Sequence, residues 1–419
     1  MDREIEVPPY FLCPITLEIM KDPVTVSTGI TYDRESIEKW LFSQKNDTCP
    51  VTKQVLVDSE LTPNVTLRRV IQSWCTLHSS DGVERFPTPK APVGKQQLLK
   101  LLNDAKSPQM QMKCLKRLRS IAAHSESNRR CMESFGVAEF LASLVVEKIN
   151  ELSIGEVADS MFDELTTRRT DEALSILHHL QLSEAGLKYL MSYRNGEFLE
   201  SLTRIMQCGS YESRAYVVML LKSMLEVASD TMQLMGLKYK LFTGLIQILH
   251  DQISRKATKA ALKVLISVCP WGRNRIKAVE AGAVPLLINL LLNLDSSEKR
   301  DCEMILIVLD FLCQCAEGRA EFLKHCAGLA IVSKKILRIS QGASERAVRI
   351  LYSISKFSAT PVVLQEMLQL GVVTKLYLVL QVDCGRRTKE RAKEILKLHA
   401  KAWKNSSCIP NQLLVSYPY

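Results

Sequence analysis

The sequence predicts a small α+β module followed by an all-α superhelical solenoid. Three observations carry that reading. Residues 1–78 mix turn signals, β-branched runs and short helical patterns. The stretch from Gly82 to Gly94 contains Pro87, Pro89 and Pro92 and has no apolar period. Beyond it, apolar residues recur at helical spacing and no strand period appears. The chain therefore divides into a module over 1–80, a Pro-rich linker over 81–94, helical repeats over 95–405 and a tail over 406–419.

In the module, Pro23 to Tyr32 places two β-rich arms around Gly29 and predicts a hairpin. Asp33 is positioned to N-cap a helix reaching about Ser43, with Ile37 and Leu41 four apart on its inner face. Thr48-Cys49-Pro50 reads as a loop, and Asn64 as the N-cap of a helix whose inner face holds Leu67, Val70, Ile71 and Trp74. So small a module needs polar networks, metal or dimerisation to supplement its core.

In the solenoid a unit recurs: a short helix, a Gly that lets the chain turn, then a longer apolar helix. It is seen at Asn128…Gly136, Asn274…Gly282, Gly318…Gly328 and Gln365…Gly371. The glycines at 282, 328 and 371 are 46 and 43 apart, within the roughly 40–47 residue period of armadillo and HEAT units. Between Gly136 and Gly282 there is room for three units plus slack, which the polar stretch Glu147 to Arg169 supplies as a long loop. Such repeats bury their faces only by stacking, which creates a groove.

Composition excludes several classes. A chain of 419 residues with 47% hydrophobic and 24% charged residues is not wholly disordered. No apolar run reaches the roughly 18 residues of a membrane span; Ala283 to Leu294 reads as a buried helix. The acidic N-terminus lacks the apolar core of a secretory signal, and thirteen scattered Cys read as reduced thiols. The expected location is cytoplasmic, with nuclear or peripheral membrane association as alternatives. Residues 1–80 carry net −3 and the remainder net +13. Spread over so long a segment, that excess favours acidic partners weakly and does not indicate nucleic-acid binding.

The strongest motif runs Phe11-Leu12-Cys13-Pro14-Ile15-Thr16-Leu17 through Asp22-Pro23-Val24. It continues with Gly29-Ile30-Thr31-Tyr32-Asp33-Arg34 and Ile37-Glu38-Lys39-Trp40-Leu41. It closes with Cys49-Pro50-Val51-Thr52 and Leu61-Thr62-Pro63-Asn64. Cys13 and Cys49-Pro50 invite comparison with a two-zinc RING finger, which needs eight ligands. Residues 1–80 offer only Cys13, Cys49, Cys75 and His78, so no metal or other cofactor is expected. With every segment in order over about 8–78, the module resembles the U-box, the metal-free counterpart of the RING finger. Followed by armadillo-like repeats, the whole chain resembles a plant U-box/armadillo E3 ubiquitin ligase.

That resemblance implies a scaffolding mechanism with no covalent ubiquitin intermediate. The U-box holds a ubiquitin-charged E2 conjugating enzyme in an arrangement that a substrate lysine attacks readily, and the armadillo groove selects protein substrates. Carried over by motif, Pro14, Ile15, Leu17, Trp40 and Pro50 form the E2-docking surface. The activating contact to E2 and ubiquitin falls on Lys53, where related U-boxes often carry Arg; Lys keeps the charge and gives up the planar fork. Self-ubiquitination and homo-oligomers through the U-box are implied too, as is a role in stress signalling.

From spacing alone, Trp40, three residues after Ile37, reads as an edge-of-core residue; the motif makes it a docking residue. Cys13 and Cys49 read as small core residues, since no His lies near either to activate a nucleophile. Cys313, Cys315, His325 and Cys326 read as thiols of a helical core with a neighbouring His, because residues two apart on a helix do not share a face. His178-His179 reads as structural. Arg386 to Lys404, with eight basic and two acidic residues, reads as the solvated face of a terminal helix, with docking to anionic lipid or an acidic protein as the alternative. Thr62-Pro63 and Thr88-Pro89 suit proline-directed kinases, and a phosphate on Thr62 is placed to disturb self-association. The competing functions are a non-catalytic armadillo scaffold with an inactive U-box and a nuclear-import receptor. The solenoid has only Trp271 and Trp403, not the Trp/Asn ladder that reads basic cargo, and its net +13 repels such cargo.

Overall fold

The hairpin forms around Gly29, whose φ of 82° turns the chain between β1 (Pro23–Thr25) and β2 (Thr31–Asp33). The structure, a computed structural model, describes residues 7–43, 46–56, 61–78, 93–154, 160–228, 236–295 and 297–403. The linker up to residue 92, with Thr88, and the tail from 404 lie outside the described residues. The two strands pair antiparallel with Val24 opposite Tyr32, and β3 (Thr62–Pro63) adds on the other side of β1. Val24 and Tyr32 are fully buried, so the sheet presents one apolar face to the helices.

α1 (Arg34–Glu38) leads into a π-helical turn over Lys39–Ser43 that carries Trp40. The expected cap at Asp33 is absent. Its side chain makes no bond to the helix and instead accepts from the backbone N–H groups of Lys21 (2.7 Å) and Asp22 (2.9 Å), tying the end of the first loop to the helix entry. Asn64 does cap α2 (Val65–Leu77), accepting from the Leu67 N–H at 3.0 Å. The inner face of α2 is Ile71 and Cys75 with Leu67 and Trp74 half-buried; Val70, expected inside, is 47% exposed.

The chain divides into two compact units, Met1–Ala138 with His179–Leu182, and Glu139–His178 with Ser183–Tyr419. The first contains the sheet, α1 and α2, and also α3 (Lys95–Asp104), α4 (Pro108–His124) and α5 (Glu126–Ser134). Its N-terminal core is built on Phe11, Met20, Val24, Tyr32, Ile37 and Ile71, with Cys13 and Cys49 at 0% exposure. Polar links supplement this core. Arg34 pairs with Asp22 at 2.6 Å, Arg68 approaches Asp22 at 3.5 Å, and Arg34 lies 3.7 Å from Glu38.

The second unit repeats a triplet of helices. Gly272–Glu280, Ala283–Asn293 and Lys299–Leu312 are followed by Ala316–Lys324, Gly328–Lys335 and Gln341–Phe357, then by Pro361–Gln369, Val372–Gln381 and Arg386–Leu398. The third helices pack on one another in chain order, from Tyr211–Val227 through Arg255–Val268, Lys299–Leu312 and Gln341–Phe357 to Arg386–Leu398. Each closes its inner face with aliphatic side chains, such as Leu306, Val308 and Leu309, and most start at a Ser that accepts from the third N–H inside. The recurring Asn has a structural task. Asn274 donates to the Val268 carbonyl (3.0 Å), closing the turn between one repeat and the next, and Arg319 does the same to Cys313 (3.2 Å).

Two expectations for the repeats are corrected. Gly282 and Gly371 take the left-handed conformation as expected, at φ 86° and 68°, but Gly328 does not. It begins its helix, and a Cβ there would meet the Phe322 carbonyl oxygen at 2.5 Å, so Gly is needed for close packing. The stretch 147–169 is helical wherever it is described: α6 (Val137–Ile154) and α7 (Ser160–Leu180) run into it from both sides. Its Glu, Leu and Met are strong helix formers, so polarity there does not mark a loop. Among the described residues no single helix is long and apolar enough to cross a membrane.

Candidate functional site

Two loops of the first unit are built alike. In the first, the Leu17 N–H donates to the Cys13 carbonyl and the Cys13 N–H to the Glu18 carbonyl, both at 2.8 Å. In the second, Lys53 donates to Cys49 at 2.9 Å and Cys49 to Gln54 at 2.8 Å. A bridge closes each base, Leu12 to Ile19 and Thr48 to Val55. Leu17 and Lys53 occupy the same place in their loops and are both left-handed, at φ 59° and 60°. A non-Gly residue so placed costs about 1–2 kcal/mol. Leu17 is also 74% exposed, an apolar side chain held out at the expense of backbone strain.

The cysteines anchor these loops from below. Cys13 Sγ accepts from the Asp33 N–H at 3.3 Å. Cys49 Sγ meets the Tyr32 hydroxyl at 3.0 Å and accepts from Thr28 Oγ1 at 3.3 Å, while Tyr32 Oη accepts from the Val51 N–H at 3.2 Å. Burial alone raises a thiol pKa, but hydroxyls of Thr28, Thr52 and Tyr32 converge on Cys49 and hold it down at about 6. Tyr32 moves the opposite way, its pKa raised by burial and by its bond to Cys49. Both shifts favour the phenol as the donor and the sulfur as the acceptor in this contact. Among the described residues no group of three His, Cys, Asp or Glu is placed to hold a metal ion.

Trp40 stands between the loops. Its Nε1 donates to the Thr48 carbonyl at 2.8 Å, which fixes the indole against the second loop, and Lys53 Nζ lies 5.7 Å from the ring centroid. On the other side the indole shares a cavity of about 340 Å³ with Ile15, Ile19, Glu35 and Lys39. Trp40, Ile15 and Pro50 are half-buried; Pro14 and Leu17 are exposed at the tip of the first loop, outside that cavity. The structure thus joins Ile15, Trp40 and Lys53 around one indole, and Trp40 is also packed on the core edge, as its spacing from Ile37 indicates.

Sequence reasoning missed two features. Val51, 51% exposed, is the counterpart of Ile15, and the repeated Cys-Pro-(Ile/Val)-Thr could have revealed it. Glu38 is buried at 4% exposure and accepts from the Glu126 N–H at 3.2 Å, at the N-terminus of α5. Burial raises its pKa, against the pull of Arg34 and of the α5 backbone. No local signal marks a contact spanning 88 positions.

The remaining candidates are structural. Cys313 is fully buried at a helix end, Cys315 Sγ donates to the Leu312 carbonyl at 3.2 Å, and His325 bonds Asn289 at 3.1 Å. His178 packs its ring near Tyr216 at 5.5 Å. Thr62 is exposed on β3, at the sheet edge.

Residues 7–80 match the family model described as the U-box domain, and residues 96–419 the one described as the plant U-box protein ARM repeat region. Among similar Arabidopsis thaliana proteins, the E3 ubiquitin-protein ligase PUB23 is 58% identical, covering all of this chain and 98% of its own length. PUB22, also an E3 ubiquitin-protein ligase, is 56% identical over the full length of both chains, and PUB24 is 38% identical over 99% and 96%. A solved structure from work on a phosphorylation switch between cadherin and beta-catenin is similar in fold. It has a TM-score of 0.57 at 14% identity, covering 83% of this chain and 62% of that one.

Proposed function

The chain belongs to the plant U-box proteins with an armadillo repeat region, and with that as premise we propose how it works as an E3 ubiquitin-protein ligase. The U-box recruits a ubiquitin-charged E2, the armadillo repeats select the substrate, and ubiquitin passes directly from E2 to a substrate lysine. No side chain of the module takes ubiquitin covalently. Cys49, the one thiol there with a depressed pKa, is fully buried beneath its loop. The acceleration is one of proximity, the thioester being held where an amine attacks it.

The observation that carries the assignment is the pair of twin loops flanking an indole whose orientation is set by the Thr48 carbonyl. In our reading Ile15 and Trp40 form the floor of the E2-docking surface, Pro14 and Leu17 one rim and Pro50 the other. Rigid aromatic and proline groups bury area at small entropy cost. Lys53, stacked over Trp40, makes the activating contact with E2 and ubiquitin. The test is a reconstituted reaction with activating enzyme, E2, ubiquitin and ATP. Wild type builds conjugates, and Trp40→Ala, shown folded by circular dichroism, does not. Absence of conjugates from wild type with a panel of E2 enzymes moves the assignment to a non-catalytic scaffold.

Self-association through the U-box and self-ubiquitination belong to the same proposal. Thr62 on the edge strand is where a doubly charged phosphate would meet a partner module. Light scattering of Thr62→Glu should show a smaller assembly than wild type; equal masses would refute that role. A cytoplasmic location is supported by twelve described cysteines that are all free, and fractionation tests it.

A further inference from the structure

The basic excess of the chain is not spread evenly. Five third helices, Tyr211–Val227, Arg255–Val268, Lys299–Leu312, Gln341–Phe357 and Arg386–Leu398, together carry seventeen Lys and Arg against eight Asp and Glu. That is nine of the chain's ten net positive charges. These are the helices that pack on one another in sequence, so their open faces form one continuous surface.

Two of those acids, Asp301 and Asp310, are spent below that surface; the exposed Glu212, Glu226, Glu390 and Glu394 each have a neighbour of their own, Tyr216, Lys222, Arg386 and Tyr352. Asp301, 9% exposed, takes Arg255 and Lys259 of the preceding helix at 3.2 Å each. Asp310, 2% exposed, takes Arg346 and Arg349 of the following one at 3.0 and 3.1 Å. Several cations outside remain without an ion pair among the described residues. Lys256, Lys263, Arg300, Lys389, Lys393 and Lys397 lie on the open sides, and among the described residues no ion pair engages them. Helical spacing puts Lys256 with Lys263, and Lys389 with Lys393, on single stripes. On the intervening helices Arg300 shares its stripe with half-buried Ile307 and Phe311, and Arg349 with half-buried Tyr352.

We infer that this surface binds an extended acidic segment of a protein substrate. The inference deepens the reading of the armadillo repeats as the substrate-selecting part and rests on it. Packed helices lie about 8–10 Å apart, which an extended chain covers in about three residues. A segment with acidic residues at about every third position, and apolar ones between, meets unpaired cations on Arg255–Val268, Lys299–Leu312 and Arg386–Leu398, and the recessed Ile307, Phe311 and Tyr352 between them. A membrane fits less well, since apolar groups that insert must protrude along the face; Ile307 and Phe311 are recessed, and the exposed Phe357 and Leu398 stand at helix ends. Single-stranded nucleic acid needs open rings to stack on in series, and the exposed Tyr211 and Phe357 stand singly at helix ends. The Tyr352 ring is instead approached by Lys356 Nζ at 5.4 Å, and its hydroxyl donates to Glu394 at 2.7 Å.

The test uses the full-length protein and a fluorescent peptide of repeated Glu-Leu-Ser, roughly fifteen residues long so as to span the five helices. Anisotropy is read for wild type and for the triple variant Lys256→Glu, Lys263→Glu, Arg300→Glu, whose fold is checked by circular dichroism. Wild type should bind the peptide, more weakly as salt rises, and the variant at least tenfold less tightly. A second variant with Gln at the same three positions should fall between them. Phosphatidylserine vesicles and a single-stranded RNA are the other arms. Equal peptide binding by wild type and variant, or tighter binding of either other probe, overturns the inference. E2 discharge onto free lysine, measured on the same preparation, reports on the ligase reading separately, because it needs no substrate groove.

Discussion

Cys49 shows how side-chain hydrogen bonds fasten a loop of the module from below. Three hydroxyls converge on its sulfur and hold its pKa at about 6, against an ordinary 9.0. A group whose folded pKa is depressed contributes stability that is fully present above its unfolded value and is lost as pH falls through the folded one. Thermal melts should therefore show wild type losing stability between pH 9 and pH 6 relative to Cys49→Ser, whose hydroxyl does not ionise there. Parallel pH profiles would mean that the thiol stays neutral and the network is an ordinary set of neutral bonds. The role of Cys49 as a buried core residue was legible from the sequence. The donors were not named, although Tyr32 and Thr52 both lie inside the motif, because pairing across 17 positions depends on the hairpin placing Tyr32 under the second loop.

At the scale of elements, the contact between α1 and α5 ties the U-box to the first armadillo helices within one compact unit. Glu38 supplies the acceptor that the first turn of α5 lacks, beside Ser125, which accepts from Asn128 at 3.2 Å. Burial disfavours its ionised form and raises its pKa, against the pull of Arg34. The sign is opposite to that of Cys49: as pH rises through the raised folded pKa, the contact loses stability. Glu38→Gln keeps an acceptor for the Glu126 N–H without the buried charge, and should match or exceed wild type in stability at neutral pH. Glu38→Ala loses the bond, costing about 1 kcal/mol, and should speed amide exchange at Glu126. Unchanged exchange in the alanine variant would show that the contact does not hold the two elements together. Elements themselves were largely legible: the hairpin from β-branched arms around a Gly, α2 from Asn64, the repeats from their glycines. Asp33 and Gly328 were misread because a residue's local preference fits more than one partner, and only packing decides which is met. Residues 147–169 were misread because a run of polar helix formers imitates a loop.

Across the whole chain, two kinds of surface divide the work. The U-box offers an apolar patch around one indole, suited to a fixed partner. The third helices of the armadillo repeats place Lys256, Lys263 and Arg300, unpaired among the described residues, beside recessed Ile307 and Phe311, the surface we infer for acidic substrate segments. The motif in the sequence pointed to the first, since the residues named for it lie within 39 positions of one another, from Pro14 to Lys53. The second was hidden, because a charge excess counted along the chain looks diffuse until stacking gathers every third helix onto one face. The central claim is that the U-box accelerates transfer by docking E2 at Trp40. Single-turnover discharge of a ubiquitin-charged E2 onto free lysine tests it most directly, comparing wild type with folded Trp40→Ala. The account predicts acceleration over E2 alone by wild type and a rate for the variant indistinguishable from that of E2 alone. Equal acceleration by both proteins would contradict it.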